Sequence, residues 1–151
     1  FEVRKEFKFC YAHQLDKAYT RLCRASIHGH NAKVELFFLS HELDETGMVI
    51  DFGEISHTFK NYFDNELDHS LFVPKTLDDE YLDMLLRHNE RITITDFNPT
   101  AENFAKMIYE KLSPVIDELE DRHVYLNMVR FWESDSGYAE YIQEYAPVKG
   151  V

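Results

Sequence analysis

Alternation opens the chain. Val3, Phe7 and Phe9 are apolar among Glu2, Arg4, Glu6 and Lys8, the pattern of an antiparallel strand with one face buried. It runs into Cys10-Tyr11-Ala12-His13, which puts His13 at the strand's end. A polar loop over residues 14–27 carries Cys23 and Arg24. His28-Gly29-His30 then leads into residues 31–39, a second strand with partial alternation. Residues 41–46 form an acidic turn, and Gly47-Met48-Val49-Ile50 reads as a short third strand.

From there the period changes. Asp51 stands as a helix N-cap, and Glu54 three residues later completes a capping-box pattern with Asp in place of Ser or Thr. Phe52, Ile55, Phe59, Tyr62, Phe63 and Leu67 follow at helical spacing and predict one apolar face, read as core and not as a cofactor box. Leu67-Asp68-His69-Ser70 closes this helix. Residues 77–88 predict a short helix, and Ile92-Thr93-Ile94-Thr95 a strand or an extended lead-in. Thr100 is the N-cap of a second main helix whose apolar face is Phe104, Ile108, Leu112, Val115, Ile116 and Leu119. Pro114 marks a kink in it, or a junction between two pieces. Residues 124–132 read as a strand followed directly by Glu133, and residues 138–142 as a last strand beyond a turn at Asp135-Ser136-Gly137. The expected class is α+β, with both main helices on one face of an antiparallel sheet.

The chain of 151 residues is expected to be a single domain, 1–151, because it holds no linker, repeat or low-complexity tract. Sixteen basic against 28 acidic residues give a net charge of −12, which argues against nucleic-acid binding. No apolar run is long enough to cross a membrane and no leader pattern opens the chain, so no membrane partner is expected. Cys10 and Cys23 make no disulfide framework, and a cytoplasmic setting is expected. Cys10 reads as a buried small hydrophobe and Trp132 as core or interface packing. His41, His57, His88 and His123 read as surface or helix-end residues.

The chemistry gathers at His28-Gly29-His30. Side chains at i and i+2 of a strand point the same way, so these imidazoles project together, and Gly29 leaves room for close backbone approach. If the first two strands pair, His13 approaches both. Three histidines with one position left open is the donor pattern of a catalytic Zn²⁺ site. No glycine-rich dinucleotide fingerprint is present, so neither nicotinamide nor flavin is expected.

Several pieces occur in order over nearly the whole chain. They are Phe9-Cys10-Tyr11-Ala12-His13, Cys23 ahead of His28-Gly29-His30, and Gly47-Met48-Val49-Ile50-Asp51-Phe52. Leu67-Asp68-His69, Asn98-Pro99-Thr100-Ala101-Glu102-Asn103 and Glu133 follow. Together they resemble the 6-pyruvoyl-tetrahydropterin synthase and 6-carboxytetrahydropterin synthase family. The resemblance implies a tunnelling fold: an antiparallel four-stranded sheet with two main helices packed on one face, oligomerising into a barrel. Trimers join their sheets, two trimers stack into a hexamer, and active sites lie between subunits. It implies Zn²⁺ on His13, His28 and His30, Cys23 as general base, and Asp68 with His69 as a second proton-transfer pair. Glu133 would bind the pterin ring, Thr100 would line the same pocket, and Glu102 would be a neighbour or a support for the helix start.

The implied substrate is 7,8-dihydroneopterin triphosphate. The implied products are 6-carboxy-5,6,7,8-tetrahydropterin, acetaldehyde and triphosphate, in the supply of queuosine and other 7-deazapurines. A triphosphate meets an acidic chain here, so zinc and local cations such as Arg24, Lys33 or Lys75 would offset the charge. Four residues separate Cys23 from His28. The carboxy-forming branch is expected to have three and the pyruvoyl-forming branch five, so 6-pyruvoyl-tetrahydropterin synthase activity stays open as the alternative. A reading of another class makes Cys23 the fourth ligand of a structural zinc module with no catalysis.

Overall fold

The computed structural model describes residues 1–118 and 124–143. In chain order the elements are β1 (Glu2–His13), α1 (Arg21–Ala25), β2 (His28–Ser40), α2 (Phe52–Tyr62), β3 (Ser70–Pro74), α3 (Asp79–His88), β4 (Ile92–Thr95), α4 (Ala101–Asp117), β5 (Val124–Ser134) and β6 (Gly137–Ile142). α2 continues through a π-helical turn over Phe63–Leu67. The class is α+β as expected, but the sheet has six strands and not four, in the order β4-β3-β1-β2-β5-β6. Nor is it wholly antiparallel, because β3 runs parallel to both β1 and β4.

The predicted third strand does not form. Residues 47–50 instead follow a turn in which Gly47 takes φ +82°. The Asp44 carboxylate organises that turn, accepting from the Thr46 and Met48 N–H groups at 2.9 Å each and from the Thr46 hydroxyl at 2.7 Å. Val49 and Ile50 still enter the core, which is why their apolar run imitates a strand. The third strand forms instead beyond α2, where β3 is Ser-Leu-Phe-Val-Pro over residues 70–74 with all five buried. A strand covered on both faces shows no alternation to read.

The main core lies between α2, α4 and one face of β1, β2 and β5. Ile55, Phe59 and Phe63 from the first helix and Phe104, Ile108 and Leu112 from the second meet Val34, Leu36, Phe38, Leu126, Val129 and Phe131. Both main helices therefore share one face, as the pattern predicts. α3 does not join them. Its Leu82 and Leu85 pack with Leu71 and Val73, whereas Phe72 between those two belongs to the main core. Alternation along β3 thus puts α3 on the opposite face of the sheet.

Both predicted caps are present. Asp51 accepts from the Gly53 N–H at 2.6 Å and the Glu54 N–H at 3.3 Å, and Thr100 accepts from the Asn103 N–H at 3.5 Å. Two residues assigned to apolar faces are not in the core. Phe52, first residue of α2, is 51 % exposed, and Val115 is 37 % exposed. α4 continues through Pro114 to Asp117 with no junction. The proline leaves the Glu110 carbonyl without its helical N–H partner, and Glu110 lies at the surface. Leu119 and His123, read from sequence as apolar-face and surface residues, lie outside the described residues. His41, His57 and His88 are exposed as expected. No helix among the described residues is long and apolar enough to cross a membrane.

Phe104 packs beside the site in a cluster of aromatic rings. Fully buried, its ring lies 5.0 Å from Phe131, 4.9 Å from Phe72 and 5.1 Å from Tyr11. Phe104→Ala is expected to destabilise the fold by about 3–5 kcal/mol. A denaturant titration with an unchanged midpoint would contradict this packing role.

Candidate active site

β1 and β2 pair antiparallel with His13 opposite His28 and Tyr11 opposite His30. That register puts His13, His28 and His30 on one face, at one end of the ladder. Gly29 sits between them where a Cβ would come within 3.3 Å of the Tyr11 carbonyl oxygen, so the histidine pair is threaded past a close backbone approach. His13 Nε2 lies 2.9 Å from His28 Nε2 and 3.2 Å from His30 Nε2.

The outward nitrogens are fixed by carbonyls. His13 Nδ1 meets the Pro99 carbonyl at 2.7 Å and His28 Nδ1 meets the Ser26 carbonyl at 3.1 Å. A carbonyl only accepts, so each Nδ1 carries the hydrogen and each Nε2 turns a lone pair inward. Burial lowers the His13 pKa to about 4, with smaller lowering from His28 and His30 against a raising bond from the Pro99 carbonyl. Burial also lowers the His30 pKa, opposed by the Glu133 carboxylate. Burial thus favours the neutral form of His13 and His30, the form that ligates metal.

Lone pairs converging this closely repel one another unless a cation lies among them. A tetrahedral ion with nitrogen ligands at about 2.0–2.1 Å sets those nitrogens about 3.3 Å apart, close to the spacing found here. The three residues form the group that can hold a metal ion among the described residues.

Two further groups reach this centre. Glu133, near the end of β5, places Oε1 3.9 Å from His30 Nε2, and its Oε2 accepts from the Tyr11 hydroxyl at 3.4 Å. Burial raises the Tyr11 pKa, and the Glu133 charge and hydrogen bond add to it, so the phenol keeps its proton. Thr100 follows Pro99, whose carbonyl orients His13, so the start of α4 adjoins the three histidines through the chain. Tyr11 was not among the residues singled out from sequence. Its only signal there was a polar-tipped aromatic two places before His13 on the same strand face.

Cys23 lies in α1, half-buried, and its thiol is not among the atoms that converge with the three histidines. That geometry disfavours a closed four-ligand site. Asp68 and His69 do form a pair, with His69 Nδ1–H donating to Asp68 Oδ2 at 2.7 Å. Asp68 Oδ1 also accepts the Cys10 backbone N–H at 2.8 Å. Burial works to raise the Asp68 pKa, but the Cys10 N–H and the His69 imidazole outweigh it and bring the carboxyl below its ordinary value. His69 takes φ +59°, a left-handed conformation rare for a residue with a side chain.

This pair is not beside the three histidines. Phe9, Tyr11 and His13 face the helices and are buried, whereas Cys10 between them is exposed. Cys10 is therefore not the buried hydrophobe expected from its residue type, and the alternation of β1 itself was the signal that would have shown it. Asp68 and His69 line the clefts on the Cys10 face, with Asn31, Lys33 and Trp132. Within one chain, the sheet stands between the Asp–His pair and the three-histidine centre.

The three cations singled out from sequence are spread out. Lys33 Nζ lies 4.3 Å over the Trp132 ring on the Cys10 face, Lys75 is paired with Asp96 at 2.6 Å, and Arg24 is exposed next to Cys23. Trp132 itself is half-buried and donates its indole N–H to Glu35 at 2.7 Å.

The class that this fold and donor set define is an enzyme with a three-histidine centre able to hold one metal ion. Residues 2–144 match the family described as 6-pyruvoyl tetrahydropterin synthase, and the chain belongs to that family, as a lyase of it. A 6-carboxy-5,6,7,8-tetrahydropterin synthase of Haemophilus influenzae is 29% identical over 147 residues, spanning 93% of this chain and 98% of its own. The synthase of that name from Helicobacter pylori strain J99 is 28% identical over 142 residues, spanning 91% of this chain and 70% of its own. Among solved structures, an uncharacterized protein of Wolinella succinogenes superposes with a TM-score of 0.79 at 26% identity, covering 95% of this chain and 98% of that one. The 6-pyruvoyl tetrahydropterin synthase of Caenorhabditis elegans superposes with a TM-score of 0.68 at 21% identity, covering 95% and 96%, which shows the shared fold.

Proposed function

We propose that this protein is a zinc-dependent lyase of the cytoplasm. It converts 7,8-dihydroneopterin triphosphate to 6-carboxy-5,6,7,8-tetrahydropterin, with acetaldehyde and triphosphate, as a step toward queuosine and related 7-deazapurines. The observation that carries this reading is the convergence of three imidazoles beside the Glu133 carboxylate, in a chain whose relatives include 6-carboxy-5,6,7,8-tetrahydropterin synthases.

His13, His28 and His30 would hold the zinc ion, whose chemistry is to acidify a bound side-chain hydroxyl of the substrate. Glu133 anchors the pterin ring by accepting N–H bonds from its amino-pyrimidine edge, a task a carboxylate performs bidentately. Tyr11 keeps one Glu133 oxygen oriented, and Thr100 lines the pterin pocket. The Cys23 thiolate accepts the proton released from the substrate carbon. Asp68 orients His69 and stabilises its charged form as the second proton-transfer pair. Because the sheet divides that pair from the histidines, we assign the pair acting at each metal centre to a neighbouring subunit of a trimer or hexamer.

Product analysis tests the reaction. Zinc-loaded protein given 7,8-dihydroneopterin triphosphate should release acetaldehyde with 6-carboxy-5,6,7,8-tetrahydropterin. Formation of 6-pyruvoyl-tetrahydropterin without acetaldehyde would assign the other branch, and no turnover with full zinc would favour a non-catalytic module. Subunit mixing tests the shared site. His28→Ala and His69→Ala oligomers should each be inactive and regain activity when their subunits are exchanged. An active monomer by light scattering would refute the sharing. Tyr11→Phe should retain zinc and raise KM about fivefold, the worth of one modest hydrogen bond of about 1 kcal/mol. An unchanged KM would remove Tyr11 from the pterin pocket.

A further inference from the structure

The turn that carries Cys23 is held by hydrogen bonds and not by packing. α1 is five residues long, buries none of them, and is flanked by the exposed Tyr19 and includes the exposed Leu22. A helix of that length has no stability of its own. The ties that order it come from the residues directly after His13. Gln14 is only 8 % exposed, and both ends of its amide are engaged inside the protein. Nε2 donates to the Arg24 carbonyl at 3.2 Å, and Oε1 accepts from the Tyr81 hydroxyl of α3 at 2.7 Å. The Gln14 backbone N–H donates to the Phe72 carbonyl at 3.2 Å, and the Leu15 N–H donates to the carbonyl of Cys23 itself at 3.2 Å.

We propose that Gln14, oriented by Tyr81, is a positioning residue that holds the Cys23 turn in fixed relation to His13. The inference rests on the reading of Cys23 as the proton acceptor. Gln14 is the chain neighbour of one metal ligand, and its side chain grips the carbonyl one residue past the thiol. The Tyr81 hydroxyl decides which way the amide faces: a hydroxyl donating to Oε1 leaves Nε2 as the end that meets Arg24. α3, which packs on the face of the sheet away from the main core, thereby acquires a role at the reaction centre. Without the clamp the turn keeps the Leu15 bond but loses the side-chain tie. The thiol then samples a wider set of positions around the same average.

Gln14→Met keeps the side chain's length and removes both polar ends, and Tyr81→Phe removes a single hydroxyl. Iodoacetamide labelling is read at Cys23 by peptide mass spectrometry, with the exposed Cys10 as internal reference. It should rise about fivefold in either variant, the factor that one lost hydrogen bond gives. kcat should fall about ten- to a hundredfold, the cost of a small misplacement of a reacting group, while KM and bound zinc stay as in the parent. Unchanged labelling at Cys23 in both variants would overturn the inference. So would loss of zinc with the labelling unchanged, because Gln14 would then serve His13 and not the thiol. Full turnover in Cys23→Ala would remove the proton-acceptor reading instead, and the labelling judges the clamp without reference to turnover.

Discussion

His28→Ala is expected to strip the protein of its metal and abolish turnover. Two imidazoles would remain, His13 and His30, with Nε2 atoms 3.2 Å apart. Two protein ligands hold a divalent ion far less tightly than three, and the loss should exceed the about 10- to 100-fold that removal of an outer-shell partner costs. The fold should survive, because His28 is the first residue of β2, outside the alternate positions Ala32, Val34, Leu36 and Phe38 that anchor the strand in the core. Metal analysis after dialysis, with far-ultraviolet circular dichroism as the control for folding, decides the matter. Near-stoichiometric zinc in a folded His28→Ala protein would rule out the three-histidine centre. His57→Ala, on the exposed side of α2, should match the parent in both metal and activity.

Cys23→Ala carries the second large effect. Removal of a general base costs about 10²–10⁴-fold in rate, and that is the fall expected in kcat. Zinc should be retained, since the thiol is not one of the atoms that converge with the histidines. The pterin should still bind, because Glu133 and the metal ligands are untouched. Loss of zinc in this variant would revive the four-ligand structural site. Normal turnover would transfer the proton-accepting role to another group, with His69 next in line. Titration of ligand binding by pterin fluorescence separates a failure to bind from a failure to react.

The two experiments probe features that were legible to different degrees. The three-histidine cluster follows from period-two spacing at His28 and His30 and from the pairing of consecutive strands, and both are local properties of the chain. The caps at Asp51 and Thr100 are equally local, since an N-cap side chain bonds an amide two or three residues away. The Cys23 turn is a different matter. Nothing in residues 14–27 by themselves says that the loop is ordered, because Gln14, which ties it to Arg24, is itself fixed by partners outside it, Phe72 of β3 and Tyr81 of α3, the latter 67 residues away.

The sheet's true width was hidden for a related reason. β3 is covered on one face by the main core and on the other by α3, so its sequence is a short unbroken apolar run. Residues 47–50 show a similar run, and only Gly47 with the Asp44 turn distinguishes buried loop from strand. Cys10 was misjudged by residue type when its position between Phe9 and Tyr11 already assigned it to the other face.

By itself the sequence determined what nearest neighbours along the chain decide. That covers the α+β class, the first two strands and their histidines, the two capped helices and the −12 charge. The tertiary structure alone decided which groups meet across the sheet and which it keeps apart. It brings Glu133 to His30 and Tyr11 from 103 and 122 residues away in the chain, and it turns Asp68 and His69 to the far face. The physical reason is that the face of a strand is a local property, whereas the partner lying across that face is set by how helices and strands far apart in sequence bury their apolar surface together.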